Sequence, residues 1–237
     1  MRLIRSLAAM ALAFAPLHAL AQTVVSETVE VIDDGGGNDR AIFEGAPTVP
    51  QGVARFGPFR VLDAARAALV DATSSDAPAQ FAAMLRAYPG IATLEMIECP
   101  GTYDDVANLR LGRMLHARGL TTHVPAGGSV RSGAVELYLA GAVHWADQGA
   151  EFAVHSWEDD NGRQASDFAA DAPVNRAYLD YYREMGMSAQ TAARFYAMTN
   201  SVPNQSARWL TAAEMDGWAG AVATPGPASL DSAAALK

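Results

Sequence analysis

"AGGSVRSGAVELYLAGAVHWADQGAEFAVHSW" (residues 126–157) decides the fold. A Ser-Gly pair, Ser132-Gly133, heads a small-residue apolar run to Ala142, long enough for a short buried helix. "EFAVHSW" (151–157) then reads as a strand, and "LTTHVPA" (120–126) as the strand before. A helix between two such strands is the connection a parallel sheet requires.

The alternation continues outward in both directions. "DDVANLRLGRMLHARG" (104–119) is an amphipathic helix with acids at its start, basic residues in its second half and Gly119 as its stop. "IATLEMIEC" (91–99) is a buried strand ending at Pro100-Gly101. "DAPAQFAAMLRAYPG" (76–90) is a helix, with Asp76 at the capping position and Pro78 in the first turn. "ARAALVDAT" (65–73) is a short strand running into a turn. Downstream come a long, acidic, flexible loop (158–173) and helices over 173–187 and 188–200. A last short helix lies in "RWLTAAEMDGWAG" (208–220), capped by Thr211. The fold class is α/β with a largely parallel sheet.

The N-terminus has the pattern of a secretory signal over residues 1–21. Arg2 and Arg5 precede a largely apolar stretch, Leu7 to Leu20, and Ala19-Leu20-Ala21 supplies small residues before Gln22. Residues 22–52 form an acidic, glycine- and proline-rich arm with one strand at Thr23 to Ile32; residues 53–222 form the domain, and 223–237 a low-complexity tail. The expected location is periplasmic or secreted. Cleavage removes two arginines and no acid, taking the net charge from −9 to −11. Such a chain is a poor partner for nucleic acid or an anionic membrane surface. Cys99 is the only cysteine, and no zinc or other metal motif occurs, so neither a disulfide, a structural metal nor a cofactor is expected.

In parallel sheets, sites gather at the carboxyl ends of strands. Three segments meet that description: Pro100-Gly101-Thr102, Ser132-Gly133 and His155. A serine at a helix start offers a hydroxyl beside an unpaired backbone N–H, and a nearby histidine offers a base. Each residue also has a plain structural role: Ser132 as a helix cap, His155 as a hydrogen-bonded core side chain. Residue types and spacing leave both open.

The order of Pro-Gly turn, amphipathic helix, "GL.T.V" strand, Ser-Gly helix ending in "LAG" and "GA.F.VHSW" resembles the Clp-protease/crotonase superfamily, over about residues 65–220. Within it, the chain is most similar to an exported bacterial branch of uncharacterised periplasmic proteins. The resemblance implies repeated β-β-α units, a serine hydrolase (a peptidase acting on a peptide or protein), and a homo-oligomer. It implies Ser132 as nucleophile, His155 as base, and the N–H groups of Thr102 and Gly133 as oxyanion donors. Two features depart from the superfamily pattern. Its usual Pro-Gly-Gly turn is Pro-Gly-Thr here, so a side chain restricts the backbone at Thr102. No acid lies between Val202 and Thr211, where the third triad member is expected. Asn204 is the substitute, accepting from the imidazole, with Asp171 or Asp167 as alternatives. A serine–lysine pair is disfavoured because Lys237 is the only lysine. The alternative to a hydrolase is a non-catalytic binding or assembly protein on the same fold.

Overall fold

The computed structural model describes residues 48–219. The signal-like segment, the strand expected at 23–32 and the C-terminal tail lie outside the described residues. A hairpin comes first: β1 (Ala54–Phe56) and β2 (Phe59–Val61), then β3 (Arg66–Leu69) and helix α1 (Ala77–Ala87). Three strand-strand passages follow. They are β4 (Thr93–Met96) with β5 (Glu98–Cys99), β6 (Thr121–Val124) with β7 (Ser129–Arg131), and β8 (Val143–Ala146) with β9 (Glu151–Val154). Helix α2 (Asp105–Ala117) follows the first and α3 (Ala134–Leu139) the second. After the third, a 3₁₀ turn (Ala165–Asp167) leads to α4 (Pro173–Glu184) and α5 (Ala189–Thr199); β10 (Arg208–Thr211) and α6 (Ala212–Ala219) end the domain.

Each passage gives one strand to each of two sheets. The first sheet runs β1-β2-β3-β4-β6-β8, and the second β10-β9-β7-β5. From β3 to β8 and from β5 to β9 the pairings are parallel, while the hairpin and β10 are antiparallel additions at the edges. This is a repeated β-β-α architecture in an α/β fold.

The expected strand 91–99 is thus two strands. A bend at Ile97 hands the chain from one sheet to the other, and the pattern of residues hides it because both short strands bury their apolar side chains. Helix α1 starts after Asp76 as expected, but the Asp76 side chain makes no capping bond. Asp104 does cap α2, accepting from the Ala107 N–H at 2.9 Å. Thr211 and Glu214 satisfy each other's backbone N–H groups at the start of α6. The 158–173 loop is closed by its own bonds: Glu158 pairs with Gln164, and Asp159 accepts from the N–H groups of Asn161 and Arg163.

The core lies between sheets and helices, with Phe59, Phe81, Leu94, Met96, Tyr138 and Phe152 essentially inaccessible. Burying such side chains stabilises the fold by about 1.5–3 kcal/mol each. Buried Arg131 ties the second sheet together. Its guanidinium reaches Glu98 on β5 and Ser129 Oγ, both at 2.6 Å, and Ser129 Oγ donates to Glu151 on β9 at 2.6 Å. The residue after this clamp is Ser132.

Candidate active site

Ser132 is not a helix cap. Gly133 holds the N-cap position of α3, and no side chain caps that helix. Ser132 sits one residue earlier at φ 50°, the only non-glycine residue with positive φ among the described residues. A side chain in this left-handed region costs about 1–2 kcal/mol, and such conformations persist where the surroundings hold them. Here its N–H donates to Ala153 on β9 at 2.9 Å, and its carbonyl accepts from Val135 at 2.9 Å. Both ends of the kink are pinned.

The Pro100-Gly101-Thr102 turn lies against it. Gly101 has φ 126°, and a Cβ there would fall 2.8 Å from the Ser132 Cβ, so glycine is required for the approach. Thr102 itself has no positive φ. The restriction expected from its side chain is therefore absent, because Gly101 carries the turn. Thr102 is held by a parallel bridge to Thr73, in which the Thr73 N–H donates to Gly101 and the Tyr103 N–H to Thr73. Its hydroxyl donates to the Asp104 carbonyl at 3.2 Å. Its methyl packs onto Gly133, where a Cβ would lie 2.5 Å from Thr102 Cγ2. Asn108 locks the opposite side: Nδ2 donates to the Gly133 carbonyl at 2.6 Å, and Oδ1 accepts from Thr73 Oγ1 at 2.9 Å. Among the described residues, no hydrogen bond takes up the N–H of Thr102 or of Gly133. Two such donors flanking Ser132 are what an oxyanion needs.

His155 lies one residue beyond β9 and lines the same cleft as Ser132, Thr102 and Gly133. Its Nδ1 is 2.9 Å from the Ser156 carbonyl. A carbonyl only accepts, so Nδ1 carries the proton and Nε2 keeps its lone pair, the tautomer a general base requires. Asn204 stands beside this pair. Its Nδ2 donates to the same carbonyl at 3.0 Å and approaches His155 Nδ1 at 3.3 Å. Turning the amide over would set its oxygen against the carbonyl oxygen, so Asn204 donates here rather than accepting from the imidazole. The acceptor that orients His155 is the main chain of Ser156. Asp171 is exposed at the entry to α4, and Asp167 accepts from the Gln164 N–H; neither bonds His155. Ser132 Oγ makes no hydrogen bond among the described residues.

The cleft encloses about 150 Å³, room for on the order of ten waters. Its floor holds residues that sequence spacing does not reveal. Glu136, one turn into α3, is buried, and its carboxylate accepts from the Tyr182 hydroxyl at 2.6 Å. Burial, with nearby Asp105 adding to it, pushes this carboxyl up to about 7, against the opposing pull of Tyr182 and of its own backbone N–H. Burial likewise raises Asp105, at the start of α2, while a hydrogen bond from Tyr178 and the proximity of His155 oppose the rise. One signal for Glu136 is present in the sequence: it is the sole charged residue in the apolar segment "AVELYL". Trp157 forms a wall, its Nε1 donating to Tyr196 Oη at 2.7 Å. Tyr196 in turn donates to Asn175 at 2.6 Å.

No family model matches the chain, and no curated protein matches it. Among solved structures it is similar to a variant of the 1510-N membrane-bound stomatin-specific protease in complex with a substrate peptide. The TM-score is 0.43 at 13% identity, covering 64% of this chain and 70% of that one. The likeness is distant.

Proposed function

We propose that the protein is an exported serine hydrolase that cleaves peptides, acting in the periplasm or outside the cell. The observation that carries this reading is the strained Ser132, pinned by Ala153 and Val135 beside the unbonded N–H groups of Thr102 and Gly133. Ser132 Oγ attacks the substrate carbonyl carbon while His155 Nε2 takes its proton, and the two N–H groups hold the oxyanion. The carbon–nitrogen bond then breaks, and the amine leaves with the proton from Nε2. Water, deprotonated by His155 Nε2, attacks the acyl carbon; the carbon–Oγ bond breaks, Oγ takes the proton back from Nε2, and the acid product departs.

A fluorophosphonate probe tests this directly. Labelling mapped to Ser132, and abolished in Ser132→Ala and His155→Ala, is the expected result; a folded protein that takes no label from pH 5 to 9, a range spanning the ordinary histidine titration, refutes it. One observation favours a second reading, a non-catalytic binding protein: Ser132 Oγ has no hydrogen bond to His155. Such contacts often tighten only when substrate is bound, which is why the hydrolase reading stands first.

A further inference from the structure

The carboxylates on the cleft floor have no place in the acyl-transfer chemistry. Three acids, Asp105, Glu136 and Glu158, line the cleft together with Ser132 and His155, and among the described residues no lysine or arginine does. Glu136 is 7% exposed, and its only side-chain donor among the described residues is Tyr182. A charge so buried is costly unless a counter-charge compensates it. A purely structural tie between α3 and α4 needs no acid at this point, because an amide oxygen accepts from Tyr182 equally well.

The surrounding groups suit a cation. Tyr182 on α4 donates to Glu136 and fixes its carboxylate in place, and Tyr178, one turn earlier, lines the cleft with Asp105. The rings of Tyr178 and Tyr196 stack at 5.7 Å, giving the cavity an aromatic wall beside its acids. Aromatic faces and carboxylates together favour ammonium and guanidinium groups over neutral ones of the same size. Glu136 also lies on the same short helix that Ser132 and Gly133 introduce, so a side chain reaching it belongs to a substrate held at the serine.

We infer that the cleft selects substrates carrying a lysine- or arginine-like cationic side chain, bound between Glu136 and Asp105 on the floor below Ser132. This specificity rests on the hydrolase reading for the word substrate, but the recognition itself does not need Ser132 to react. The inactive Ser132→Ala protein is therefore the place to test it, by calorimetry with Nα-acetyl-lysine methylamide and its neutral norleucine isostere. The lysine ligand binds more tightly by about tenfold or more, the value of one charge-assisted contact. Glu136→Gln, which keeps an acceptor for Tyr182, removes that preference, and Asp105→Asn serves where the first variant fails to fold. Affinity for the lysine ligand also rises from pH 6 to 8, with proton release, whereas that for norleucine stays flat. Asp105, Glu158, His155 and the tyrosines at 103, 178, 182 and 196 are the other titratable groups that line the cleft, and the norleucine control and the Glu136→Gln variant separate their effect. Equal affinity for both ligands, no measurable binding of either, or a preference that survives both substitutions overturns the inference. A lysine preference without fluorophosphonate labelling keeps the cation site and removes the hydrolase; labelling without the preference does the reverse.

Discussion

Gly133→Ala tests the oxyanion geometry with one carbon atom. The backbone at Gly133 has φ −57°, which alanine adopts freely, so any cost comes from space and not from conformation. The added Cβ falls 2.5 Å from Thr102 Cγ2 and 3.1 Å from both Thr102 Cβ and Asn108 Nδ2. Something must shift, and the Thr102 turn is the softer side, since Asn108 is fixed by bonds at both ends of its amide. Overpacking of this size costs about 1–3 kcal/mol. Thr102→Ser deletes the methyl while keeping the hydroxyl; alone it costs about 1 kcal/mol. In the double variant the 2.5 Å contact no longer exists, so the two costs do not add: a coupling of about 1–2 kcal/mol is expected. Urea unfolding midpoints at constant slope measure all four corners of this cycle. Displacing Thr102 also moves one of the proposed oxyanion donors, so on the proposed hydrolase reading acyl transfer in Gly133→Ala falls by about 10²–10³. Costs that add to within about 0.5 kcal/mol would mean that Thr102 does not lean on Gly133, and the argument for a preformed hole would fail.

Three further outcomes follow from the site and its surroundings. Ser132→Gly is at least as stable as Ser132→Ala, by up to about 1 kcal/mol in urea, because only glycine occupies φ 50° without strain; the usual order, alanine ahead, would contradict the pinned kink. Glu136 has a folded pKa of about 7 against an ordinary 4.5, so its contribution to stability is complete below about pH 4.5 and is lost as pH rises through 7. The loss is roughly 3 kcal/mol, and Glu136→Gln flattens the stability curve over that window; parallel curves for the two proteins would exclude it. Burial alone would lower His123, but the Glu95 carboxylate at 2.5 Å and Asp147 at 3.3 Å outweigh it and raise its pKa. Its stabilising charge is present below its ordinary 6.5 and lost as pH passes the raised value, and Asp147→Asn brings the NMR titration of its ring downward.

What the sequence discloses is what local periodicity can carry. α2, α4 and α5 repeat apolar residues over three turns, and α2 and α5 also bring their own capping side chains, so their limits are readable. β5, β7 and β10 are two to four residues long, too short for alternation to register, and each exists because a neighbouring strand pairs with it. The Ser132 kink is similar: Ser-Gly reads as a helix cap until Ala153 and Val135 pin both sides of it. Ser132, His155 and the two proposed oxyanion donors, Thr102 and Gly133, follow strand ends, where parallel sheets put their sites. Asp105 and Glu136 come together because α2 packs against α3, a relation that no spacing along the chain expresses. Asn204 is recognisable as a neighbour of His155, yet its part as a donor depends on the position of a peptide carbonyl.

That carbonyl has a consequence for how the site responds to change. The group that aligns the imidazole is common to all twenty amino acids, so replacing residue 156 by another type leaves it chemically intact. It gains no proton in acid and loses none in base, and it carries no net charge for salt to screen. What holds it lies elsewhere, in the Ser156 N–H given to Val202, the Ser156 hydroxyl given to Asn200, and Asn204 above. Side-chain scanning at residue 156 would therefore register the lost hydroxyl bonds to Asn200, Ala165 and Trp157, and not the aligning carbonyl itself. Alignment of the histidine is a property of the loop's path, inherited by whichever residue follows it.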